Sequence, residues 1–182
     1  MRLLLLLAAA AAALAAAGGA AAQEDGARRT SWGVVAMPGA VWPQYALRGV
    51  SGDGRYAVVI GCGAADDKYL EGLTVVGTGP GAWADIEKGN DVAVSTDAWL
   101  RGIFRVSSKH AEHRAAFAPV PPGKGDALAA AFAAARREVV ATVGTARAYI
   151  GIDGLADAAA LYRDGCRAAR EDARGQGADE AR

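Results

Sequence analysis

Apolar residues alternate with small or polar ones through most of the chain, and each alternating run is short. Ser31 to Met37 is one such run, stopped by Pro38-Gly39. Tyr45–Val50 and Arg55–Cys62 flank Ser51-Gly-Asp-Gly54. Glycine and aspartate tolerate the positive φ angles of tight turns, so this stretch predicts a β-hairpin. In its second arm Tyr56, Val58, Ile60 and Cys62 fall on one face by period-two alternation. Further strands are predicted over Leu70–Val76, Val92–Thr96, Trp99–Ser107 and His113–Ala118. Ala82–Ile86 reads as a short strand or a loop.

The period changes after Pro119–Gly125. Leu128, Ala131, Phe132 and Ala135 follow helical spacing, with Asp126 placed to cap the helix. Val139–Val143 and Ala146–Ile152 then form a hairpin about Gly144. A second helix carries Leu155, Ala158, Ala159, Tyr162 and Cys166 on one face. From residue 168 the charged, glycine-bearing sequence shows no apolar period and reads as a disordered tail. The elements predict an α+β fold, mainly antiparallel β: a twisted sheet or β-sandwich with two short helices near the C-terminus.

Composition adds the compartment. Residues 1–22 join a minimal basic start to a leucine- and alanine-rich run and a small-residue site before Gln23. That is the form of a cleaved secretory leader, with an uncleaved membrane anchor as the alternative. The expected organisation is residues 1–22 as signal peptide, residues 23–167 as one β-rich domain, and residues 168–182 as tail. The expected location is the periplasm or the medium, with no membrane span once the leader is removed. Twenty basic residues balance 20 acidic ones. This neutrality gives no electrostatic footprint for nucleic acid.

The chain has two cysteines. In an exported protein a pair of cysteines implies a disulfide. Cys62 and Cys166 each close an apolar periodic element, and no Cys-x-x-Cys redox motif is present.

Candidate chemistry is sparse. His110 and His113 stand three apart, but no third metal ligand is fixed by spacing, so no metal and no cofactor is expected. No serine lies in a strand–elbow–helix context. Asp53, Asp66, Asp67, Asp85, Glu87, Asp91 and Asp97 lie mostly in predicted turns and read as turn residues, with a glycosidase pair or a calcium site as the alternative. Trp42, Tyr45, Trp83 and Trp99 fall at predicted loops and strand ends. They either cover the edges of a small-residue core or form a binding surface, where large aromatics serve as anchors.

The order of elements resembles the invasion-associated locus B family of small exported proteins from α-proteobacteria. The resemblance rests on Val58-Val-Ile-Gly-Cys62, Asp126-Ala-Leu128, Ala148-Tyr-Ile-Gly-Ile-Asp-Gly-Leu155 and Ala158-Ala-Ala-Leu-Tyr-Arg-Asp-Gly-Cys166. It implies a periplasmic β-rich domain and carries over no catalytic residue. The expected function is non-enzymatic binding to a protein or small molecule of the cell envelope. A small envelope hydrolase using acidic or histidine residues is the alternative.

Overall fold

The computed structural model describes residues 31–37, 43–65, 68–88, 91–96, 102–105, 108–111, 114–121 and 124–179. The leader, Trp42, Trp99 and His113 lie outside them.

Two antiparallel sheets carry the fold. The first has the order β1 (Trp32–Ala36), β2 (Tyr45–Val50), β3 (Tyr56–Ala65), β4 (Lys68–Gly77), β8 (Ala115–Pro119) and β7 (Ser108–His110). The second has the order β10 (Ala146–Gly151), β9 (Glu138–Val143), β5 (Asp91–Thr96) and β6 (Gly102–Arg105). Among the described residues three helices join them: α1 (Ala82–Lys88), α2 (Gly125–Ala133) and α3 (Leu155–Asp179). The predicted α+β class is the observed one.

Both predicted hairpins form at their predicted turns. Gly54 and Gly144 take φ values of 69° and 58°, the left-handed region that glycine enters without a Cβ clash. β2 then pairs with β3 so that Leu47 opposes Ile60, and β3 with β4 so that Ile60 opposes Leu73. Opposed residues share a face. These three side chains, with Val58 and Val75, are fully buried on the inner face. The outer face of β3 is buried too, through Ala57 and Val59. A central strand covered on both sides thus hides the alternation its sequence shows.

Trp32 is the bolt between the layers. Its Nε1 donates to the Gly151 carbonyl at 2.7 Å, tying β1 to β10. Its ring meets Phe132 of α2 edge-on, centroids 5.5 Å apart. Gly49 lies opposite, where a Cβ would stand 2.7 Å from the indole.

Three local expectations are corrected. Ala82–Lys88 is a helix rather than a strand or loop: Ala82 and Ile86, one turn apart, are its buried residues. One turn of i, i+4 spacing is too short to stand out from strand periodicity. On α2 the inward positions are Gly125, Leu128, Ala129 and Phe132, with Ala129 buried where Ala131 was expected. Finally, α3 does not stop at Cys166. It runs to Asp179, Ala169 is buried three residues beyond Cys166, and Arg170 is bonded into the fold. Order past residue 167 comes from this small apolar position and one long cation, which charge content alone obscures.

Candidate functional site

On the inner face Tyr45, Cys62 and Glu71 stand side by side across β2, β3 and β4. α3 crosses above this row. One helical turn advances about 5.4 Å and neighbouring strands lie about 4.8 Å apart, so Cys166 and Arg170, about one turn apart, meet the neighbouring strands β3 and β4. Gly165 receives the Tyr45 ring. Cys166 forms the disulfide with Cys62, their Cα atoms 5.7 Å apart across a separation of 104 residues. Arg170 reaches Glu71. The Cys62–Cys166 bond expected from the sequence is therefore present, and both cysteines are buried.

Glu71 is a carboxylate inside the protein, its side chain 1% exposed. Both oxygens are engaged. Oε2 accepts from the Gly125 backbone N–H at 2.7 Å, and Oε1 accepts from Arg170 Nη2 at 3.1 Å. The same nitrogen donates to Asp126 Oδ2 at 3.2 Å and to the Tyr69 hydroxyl at 3.3 Å. The guanidinium also lies 4.8 Å from the Tyr69 ring centroid. Asp126 therefore does not cap α2 as expected. The N-cap position, Lys124, makes no side-chain cap bond, and Glu71 from β4 supplies the acceptor instead. A negative charge at a helix N-terminus meets unsatisfied N–H groups and the positive end of the dipole. Here it arrives from a distant strand.

Burial pushes the Tyr69 phenol up to about 12. Burial also holds the Tyr162 phenol well above its ordinary value. The Tyr162 hydroxyl is buried and has no hydrogen-bond partner among the described residues. The hydrogen bond to Tyr69 helps keep Arg170 protonated. The cluster thus presents neutral phenols, a fixed cation and a carboxylate whose two oxygens are already taken. Its chemistry is attachment of α3 to the sheet and to α2.

The aromatic candidates do not assemble into one patch where they are described. Tyr45 is half-buried at the Cys62 end of the first sheet. Trp83 is half-buried on α1 beside Gly77, which pairs with Tyr56 at the far end of β3. Six residues of strand, about 20 Å, separate those ends. His110 ends β7, and among the described residues no group of three or more His, Cys, Asp or Glu could hold a metal ion. Ser51 Oγ donates to Asp53 Oδ1 at 2.6 Å and accepts from the Tyr56 N–H at 3.0 Å, which makes it a turn residue. That bond from Ser51 is the chief reason the Asp53 carboxyl sits below its ordinary value.

Sequence reasoning passed over Tyr69, Glu71, Arg170 and Arg48. The visible clue was a charge inside an otherwise apolar strand, as in Leu70-Glu-Gly-Leu73 and Ala46-Leu-Arg-Gly49. Among the described residues no helix is long and apolar enough to cross a membrane. Comparison with known proteins adds no relative: no family model, no curated protein and no solved structure matches this chain.

Proposed function

We propose that the chain is an exported domain of the cell envelope that works by binding rather than catalysis, as its resemblance to the invasion-associated locus B family implies. The observation that carries the reading is the Cys62–Cys166 disulfide. Structural disulfides persist in oxidising compartments, and this one joins the second strand of the first hairpin to the last helix. The leader-like residues 1–22 point the same way. The binding half of the reading is supported by how the polar side chains are used: Glu71, Asp126, Arg170 and Ser51 all serve contacts internal to the fold.

Expression of the full chain in a bacterial host with a periplasm tests the proposal. Intact-mass analysis of the periplasmic fraction should give a protein that begins within a residue or two of Gln23, with both thiols resistant to alkylation until reduced. A product that keeps Met1, or a reduced protein found only in the cytoplasm, overturns it.

A further inference from the structure

Among the described residues four strands stand at sheet edges: β1 and β7 in the first sheet, β10 and β6 in the second. An edge strand offers unpaired N–H and C=O groups to any other strand, and folds blunt such edges with charge, shortness or cover. Three of the four are blunted. β7 is three residues long and carries Lys109. β6 is four residues long and ends in Arg105. On β10 the Tyr149 carbonyl accepts from the Gly52 N–H at 3.2 Å, and the Gly151 carbonyl accepts from Trp32 Nε1 at 2.7 Å. β1 is different: its five residues, Trp-Gly-Val-Val-Ala, include neither a charge nor a proline.

The ladder shows which β1 groups remain free. The Val50 N–H donates to the Ser31 carbonyl at 3.0 Å, and the Met37 N–H donates to the Gln44 carbonyl at 2.8 Å. Odd-numbered positions therefore bond to β2, and even-numbered ones turn away from it. The Trp32 N–H accordingly donates outward, to the Asp153 carbonyl at 3.2 Å. Val34 and Ala36 carry their N–H and C=O groups on the same side, and neither bonds a described residue there. Ala36 is exposed and Val34 half-buried, so this part of the edge reaches solvent.

We propose that β1 pairs antiparallel with β1 of a second copy of this chain, about a two-fold axis at Val35. In an antiparallel ladder two facing residues exchange both of their hydrogen bonds. With Val34 of each copy facing Ala36 of the other, every free group on both edges is used. The alternative register, Val34 on Val34, sets Ala36 against Trp32, whose N–H is already spent on Asp153. The edge is thus complementary to itself in one register, as a two-fold interface requires. Only valine and alanine side chains face across it, so no like charges meet. The chain has a formal net charge of zero, so two copies do not repel at a distance.

Sedimentation velocity of the mature, disulfide-bonded protein over rising concentration tests this. A reversible dimer is expected. Ala36→Pro removes an outward N–H that the β1–β2 ladder does not use, which an edge strand tolerates. It should raise the dimer dissociation constant by about tenfold or more and leave the melting temperature of the dilute monomer unchanged. Ala36→Lys places a charge on each edge, so its dimer should be weaker and should recover as salt is added. That variant decides the matter if the proline variant fails to fold. A monomer at every concentration up to about 1 mM overturns the proposal. So does a dimer that Ala36→Lys leaves as tight as before, since it must use another surface. A chain that stays monomeric but binds a short alternating Thr-Val peptide at this edge would be a peptide receptor, and self-pairing would be overturned. Export and thiol state are read from mass alone, so failure here is distinguishable from failure of the broader reading.

Discussion

The ring of Tyr45 lies against Gly165 so closely that a Cβ on Gly165 would stand 2.4 Å from Tyr45 Cδ1. A glycine inside a helix ordinarily costs about 1 kcal/mol relative to alanine. Here the sign should reverse. Gly165→Ala must push the ring or the helix away, and overpacking of this kind costs about 1–3 kcal/mol. Removing the ring as well, in the double variant Tyr45→Ala with Gly165→Ala, should restore the helix-favouring effect of alanine at position 165. Chemical denaturation of both variants and of Tyr45→Ala alone checks this. A stabilising Gly165→Ala in the otherwise unaltered protein would show that the helix can lift off β2 without loss.

The ion pair one turn farther along α3 should matter more than a surface pair. Glu71 is buried, so Arg170→Met leaves its carboxylate without a cation, facing the Gly125 N–H and the neighbouring Tyr69 hydroxyl. Loss of one partner of a buried pair costs about 3–5 kcal/mol. Glu71→Gln with Arg170→Met removes both charges and should recover part of that loss. Denaturant melts of the single and double variants give the coupling.

Replacing both cysteines by alanine should cost about 4 kcal/mol, since the bond closes a loop of about 100 residues in the unfolded chain. Burial of both sulfurs predicts slow reduction of the native protein by mild thiols, followed by rapid reduction once denaturant is present. Timed alkylation with mass detection distinguishes this from an exposed, readily exchanged bond.

Alkali should unfold the domain through its phenols. The folded Tyr69 pKa is raised from 10.0 to about 12, so its contribution to stability is present in full below pH 10. Above that pH the unfolded chain releases the proton first, and stability falls as pH rises toward 12. Tyr162 shifts in the same direction and adds to the slope. Tyr69→Phe should remove one late-ionising phenol from an ultraviolet titration and flatten the stability curve over that range.

Local patterning determined a good deal of this protein. Glycine-bearing turns at Gly54 and Gly144, the inward row Tyr56–Val58–Ile60–Cys62, the α3 face from Leu155 to Cys166 and the pairing of the two cysteines were all legible. Each follows from short-range periodicity and turn chemistry, or, for the cysteines, from there being only two. The tertiary structure alone decided where the charges go. Glu71 caps a helix 54 residues away, and Arg170 holds β4 and α2 together from beyond the point where the sequence looked disordered. Trp32 became the central core residue, while Tyr45 and Trp83 were sent to opposite ends of a sheet. Periodicity reports which side of an element is apolar, but the partner of a buried charge or a large ring is set by which elements cross, and that crossing is a long-range property of the packed chain.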